Sequence, residues 1–419
     1  WRVLPFLLLV YLICIIDRLN VGFAALTMNQ ELGFTATIFG WGAGLFFFGY
    51  FLGEVPSNLI MSKVGARIWF ARIMASWGIL AIAMGFIGGE TSFFVIRFLL
   101  GVAEAGFFPG VIYYLTLWFP AQYRGRIFGL FLIISPLNNT IAAPLAGLIL
   151  NAFDGSMGYP GWRWLFIVEG IPAVLLAFVT LRVVIDRPDH ATWLTAEEKA
   201  HLKETLAREA ASRTETKHLS LWQTLGHPKV LLFAVVYTAL AIGIYGIALW
   251  MPQIIKGMGL QDPLKIGLIM AVPYLIATIC MVLWSRHSDK TGERVWHCAG
   301  PLALACVGLA CSAYAGSPLL AMISLTFAAI GLYCSQPVFW AMPTGYLTGV
   351  AAAGGIAFIN SVGNLGGFVG PFAVGWLKDH FGSFQAGLLF LALCLLTGSI
   401  VSVVVGGSVA RLRTTEQPA

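Results

Sequence analysis

Long apolar runs recur along the chain, each close to the length that crosses a bilayer, with short polar turns between them. A bilayer core takes about 20 apolar residues per helix. Such runs fall near 3–27, 37–61, 69–88, 92–118, 127–150 and 164–185, and again near 229–255, 265–285, 297–315, 319–345, 354–377 and 384–408. A polar stretch separates the two sets. The pattern predicts an all-α membrane protein of twelve transmembrane helices in two six-helix halves. The expected divisions are 1–185 for the first half, 186–228 for a linker, 229–408 for the second half and 409–419 for a tail. Trp1 to Met28 exceeds the apolar core of a signal peptide and carries Asp17-Arg18 in its middle, which argues against cleavage.

Lysine and arginine fix the expected orientation. Lys63, Arg67 and Arg72 follow span 2, Arg124 and Arg126 follow span 4, Arg286, Lys290 and Arg294 follow span 8, and Arg411 and Arg413 close the chain. The alternate loops carry mainly acidic or uncharged residues, such as Glu31, Glu90 and Asp154, with Lys256 and Lys378 as exceptions. Both termini and the linker are therefore expected in the cytoplasm. Within the linker, Thr195-Ala196-Glu197-Glu198 reads as a capping box opening a helix to about Ser212. Leu221, Trp222 and Leu225 suggest a second, interfacial piece.

The halves carry a matched turn. Lys63-Val64-Gly65-Ala66-Arg67 follows span 2 and Lys290-Thr291-Gly292-Glu293-Arg294 follows span 8, both K-x-G-x-R. That placement points to a parallel internal repeat.

Composition agrees with the pattern. Hydrophobic residues make up 58% of the 419 and charged residues 11%, against roughly 25% charged in a soluble domain. The net charge of +6 sits in turns rather than in a basic stripe, so no nucleic acid is expected. The seven cysteines lie in or beside apolar runs without a CxxC pair, and no metal site or cofactor is expected. Neither HExxH, GxSxG nor a Walker sequence occurs, so an enzyme or ATP-driven pump is disfavoured.

Charge inside the spans carries the chemistry. Asp17 and Arg18 interrupt span 1, and Arg97 and Glu104 interrupt span 4. Each costs about 3 kcal/mol at a helix centre, which calls for pairing and a water-lined cavity. Asp17 and Arg18 diverge by about 100° around the helix, so one can face a cavity and the other a neighbouring helix. Arg97 and Glu104 are two turns apart on one face. A structural ion-pair network is one reading. Arginines that hold an anion beside carboxylates that carry protons is the other. Spans 7 to 12 present neutral groups, among them Gln336, Trp340, Asn360 and Asn364, and the last two share a helix face. The Gly363, Gly366, Gly367 and Gly370 series reads as close helix packing.

Four segments carry a family resemblance: Asp17 to Asn20, Arg97 to Gly106, Trp162 to Gly170, and Asn360 to Gly367. Over essentially its full length the chain resembles the anion:cation symporter branch of the major facilitator superfamily. That branch includes bacterial sugar-acid, tartrate and phthalate permeases and, in animals, sialin and the vesicular glutamate transporters. The resemblance implies a proton-coupled symporter importing a small organic anion by alternating access. It implies Arg18 as the anchor for the substrate carboxylate, Asp17 and Glu104 as proton carriers, and Arg97 as a coupling charge. Tyr50, Trp340 and Asn360 match pocket positions, with Gln336, Asn364 and Asn138 as further candidates. Ile15, and Ser135, Pro136 and Asn138 in span 5, depart from the sugar-acid permeases, and Ser62 stands where the superfamily usually has Asp. The expected partners are the organic anion, protons and membrane lipid. The expected setting is the bacterial inner membrane, as a multi-pass monomer. The alternative from another class is a non-transporting membrane sensor or an intramembrane enzyme.

Overall fold

The computed structural model describes residues 3–212, 226–346 and 349–415, so Leu221, Trp222 and Leu225 lie outside the described residues. The apolar runs fold as helices α1 (Val3–Glu31), α2 (Ala36–Val64), α3 (Ala66–Met84), α4 (Glu90–Glu104), α5 (Phe107–Trp118), α6 (Ala121–Ala152) and α7 (Gly161–Val183). The linker helix α8 (Ala196–Ser212) follows. Then come α9 (Pro228–Gly257), α10 (Pro263–Thr291), α11 (Val295–Ala313), α12 (Pro318–Tyr346), α13 (Gly349–Asn364), α14 (Gly366–Phe381) and α15 (Gln385–Thr415). Among the described residues, 12 segments are long and apolar enough to cross a membrane.

Local chemistry sets the helix ends. The Thr35 side chain accepts from Ile38 N at 3.2 Å to start α2, and Asp262 accepts from Leu264 N at 2.9 Å to start α10. Thr195 and Glu198 close the expected capping box reciprocally, at 2.8 and 3.2 Å. The turn glycines Gly65 and Gly292 both adopt positive φ, 95° and 68°, at the same place in the two K-x-G-x-R turns. Arg294 pairs with Asp289 at 2.8 Å in the second turn. In the first, Arg67 N donates to Asp186 at 2.8 Å, so a carboxylate from beyond span 6 stands in where Ser62 offers none.

Two spans are not the continuous helices the pattern predicts. Span 4 breaks between α4 and α5, where Gly106 takes the left-handed conformation with φ 83°. Span 11 breaks at Leu365, between α13 and α14. Each apolar run is long enough to span the membrane despite its break, so a reading by run length passes through both. Broken helices are tolerated in a membrane where the freed backbone groups line a cavity or find partners.

The halves meet through α1 and α9, α2 and α14, and α6 and α10. Their contacts on the face opposite the termini are close. A Cβ on Gly267 of α10 would stand 2.2 Å from Ala143 O of α6, and one on Gly375 of α14 would stand 2.3 Å from Ala36 O of α2. Lys256 donates to Leu26 O at 2.6 Å, Asn151 to Asp262 at 2.7 Å, and the Ala36 and Thr37 amides to Asp379 at 3.1 and 2.6 Å. That face is closed. The glycine series of span 11 packs as expected: a Cβ on Gly366 would meet Thr238 O at 2.5 Å.

Candidate functional site

The break in span 4 falls immediately after Glu104, which positions that carboxylate at the end of α4 opposite α1. Arg18 meets it there. Arg18 Nε donates to Glu104 Oε1 at 3.0 Å and Nη2 makes an ion pair with the same oxygen. Arg18 Nη1 donates to Tyr245 Oη of α9 at 3.3 Å, so one guanidinium touches both halves. Its side chain is 12% exposed, against 1% for Glu104. The guanidinium also lies 5.3 Å from the Phe46 ring and 5.2 Å from the Tyr50 ring. Cys14 Sγ donates to Glu104 Oε1 at 3.0 Å, while Oε2 is buried without a protein partner.

Asp17 faces the other way, as the angular offset from Arg18 requires. Its Oδ2 accepts from Trp77 Nε1 of α3 at 2.7 Å and its Oδ1 has no partner. Arg97, on the same helix as Glu104, does not bond to it. The guanidinium is fully buried, over the Phe46 ring at 4.9 Å, and donates to the Gly42 and Ala43 carbonyls of α2 at 3.4 and 3.2 Å.

The second-half candidates divide similarly. Asn360 Nδ2 donates to Glu54 Oε1 at 2.8 Å and Ser361 Oγ to Glu54 Oε2 at 2.9 Å. Trp340 packs edge-on against Tyr237 at 4.7 Å between ring centroids and Tyr237 stacks on Phe339 at 5.5 Å. Asn364 is buried at the span 11 break. Gln336 Oε1 and both polar atoms of the Asn138 side chain are buried with no protein partner. Beside Asn138, Asn139 donates to Tyr333 of α12 at 3.1 Å across the halves.

Two buried carboxylates escaped the reading of charge along the chain. Glu54 sits inside span 2 and Glu169 inside span 6, so the first half holds six deep ionisable groups rather than four. Glu169 accepts from Asn20 Nδ2 at 2.9 Å, and both line a small internal cavity with Asn139. Each is a lone acidic residue inside an apolar run, which is the signal that would have found it. Among the described residues no group of His, Cys, Asp and Glu has the arrangement of a metal site.

This arrangement sets the Arg18 guanidinium between the halves, neutralised by Glu104 and ringed by aromatic and neutral polar groups. Comparison with known proteins bears on what such an arrangement serves. The family model described as Major Facilitator Superfamily matches residues 7–371. An Agrobacterium vitis protein named as a tartrate transporter is 50% identical, over 97% of this chain and 90% of its own length. A quinolone resistance transporter of Acinetobacter baumannii is 44% identical, over 99% and 95%. The crystal structure of a D-xylose–proton symporter superposes with a TM-score of 0.77 at 15% identity, over 96% of each chain, a likeness of fold.

Proposed function

Because the chain belongs to the Major Facilitator Superfamily, and is thus a transporter rather than an enzyme, we propose that it is a proton-coupled symporter for a small organic anion, a carboxylate. The observation that carries this reading is the Arg18–Glu104 pair, which bonds on to Tyr245 of the opposite half. An arginine stays protonated in a protein, so a buried guanidinium is stabilised by an anion beside it, and Arg18, unlike Arg97 with its backbone carbonyls, has a carboxylate there. Glu104 supplies that anion while it is ionised. When Glu104 takes a proton, the guanidinium fork is free for a substrate carboxylate, which it binds bidentately. Proton and anion thus enter together, because either alone leaves an uncompensated charge in an apolar bundle. Asp17 is assigned the role of a second proton carrier, one helix face away, and Arg97 the role of holding span 4 to span 2 beside the site. Tyr50, Asn138, Gln336, Trp340, Asn360 and Asn364 are assigned to reading the rest of the substrate. The tartrate transporter names among its relatives support a small hydroxylated acid as substrate.

The positive charges support an orientation with both termini in the cytoplasm of a bacterial inner membrane. The closed face then looks outward. The two units that move against each other are 1–185 and 229–408, acting within a single monomer.

Proteoliposomes test the coupling. Glu104→Gln fixes a neutral side chain of the same shape, so counterflow of substrate should persist while accumulation driven by a pH gradient is lost. A variant that still concentrates substrate with the wild-type pH dependence would remove Glu104 from the mechanism.

A further inference from the structure

Glu54 is a carboxylate for which the transport cycle above has no use. It lies inside span 2, is 4% exposed, and has both oxygens engaged by neutral donors of the opposite half, Asn360 at 2.8 Å and Ser361 at 2.9 Å. Among the described residues neither lysine nor arginine makes an ion pair with it. A helix contact alone would be met by an apolar side chain, without the penalty of a charge at that depth. Position gives Glu54 a further meaning. Tyr50, whose ring lies under Arg18, is four residues earlier on the same face of α2, so Glu54 stands about 6 Å further along the helix. A short acid anchored at Arg18 and lying along α2 would bring its far end to that point.

We propose that Glu54 competes internally for the donors with which the second half reads substrate, and that it sets the preference among acids by what they carry at the far end. The inference rests on Arg18 as the carboxylate anchor. A far-end hydroxyl can donate to the Glu54 carboxylate and leave it in place. A far-end carboxylate has only acceptors. It needs Asn360 and Ser361 for itself, must displace Glu54 from both, and meets a like charge in doing so. A far-end methyl does neither.

Three 2-hydroxy acids differing only at that end make the test: glycerate with a hydroxyl, malate with a carboxylate and lactate with a methyl. Affinity of each for the purified full chain is measured by calorimetry, on wild type, Glu54→Ala and Glu54→Gln. Relative to lactate, malate should gain about tenfold or more in Glu54→Ala and glycerate should lose. Glu54→Gln keeps the shape and one acceptor without the charge, so it should move both ratios in the same directions by less, and it serves where the alanine variant does not fold. Opposite movements of two acids cannot arise from a loosened helix contact. Ratios within about twofold of wild type in the folded variants, or malate and glycerate moving together, overturn the assignment. Arg18→Lys separates the two claims, since it should weaken all three acids in parallel. If it weakens none, or if wild type binds none, the carboxylate anchor falls and this inference with it.

Discussion

Arg18 and Asp17 are neighbours in sequence and strangers in space. Helical geometry sends one toward Glu104 and Tyr245 and the other toward Trp77. Each position predicts a different failure. Arg18→Lys keeps the charge but loses the planar fork that reaches Glu104 and Tyr245 at once, so substrate affinity should fall by about tenfold or more. Calorimetry on correctly folded protein measures it, and an affinity near that of wild type would dismiss Arg18 as the anchor. Trp77→Phe removes the one donor that Asp17 has in this structure, leaving a buried carboxylate with both oxygens unpartnered. The expected loss is about 2 kcal/mol of stability. Thermal unfolding in detergent reads it, and an unchanged midpoint would mean that the 2.7 Å bond contributes nothing.

At the scale of elements, the closed face depends on glycines that let backbones touch. Gly267 of α10 and Gly147 of α6 face each other's helices: a Cβ on Gly147 would stand 2.4 Å from Pro263 O, as one on Gly267 would stand 2.2 Å from Ala143 O. These contacts are with backbone, which cannot swing aside. Gly267→Val should therefore hold α6 and α10 apart and favour the arrangement in which this face is open. A cysteine introduced near this face should then react faster with a membrane-impermeant thiol reagent than it does without the valine. Equal labelling rates would show that the face closes by other contacts. The break at Gly106 belongs to the same scale. It ends α4 at Glu104 and so frees the carboxylate to meet Arg18, a consequence that the length of the apolar run in span 4 conceals.

Across the whole molecule, the division of charge between halves survives in modified form. The first half holds Asp17, Arg18, Glu54, Arg97, Glu104 and Glu169, and the second brings neutral donors and rings to them. Selectivity is expected from the second group, with Glu54 bonded to it, and coupling from Asp17 and Glu104 of the first. Asn360→Ala and Trp340→Ala should reorder competing carboxylates in uptake assays while leaving the pH profile in place. A shifted pH profile with the same order of preference would reverse the division of labour.

The chain by itself determined that it spans a membrane twelve times in two sets of six, because burial in lipid demands long apolar runs and these are visible one residue at a time. It determined the linker helix start at Thr195, the paired turns at Gly65 and Gly292, and Asp17, Arg18, Arg97 and Glu104 as the costly charges, because capping, positive φ and buried charge are local chemistry. Pairing was beyond it. That Glu104 meets Arg18 while Arg97 bonds to the backbone of α2, and that Asn360 is already held by Glu54 from the other half, follows from how helices rotate and approach, and sequence spacing within one helix says nothing of the helix opposite. The two helix breaks and the closed face were decided in the same way, by contacts between segments far apart in the chain. A partner on another helix leaves no periodic trace, so only the tertiary structure could join a charge to the group that answers it.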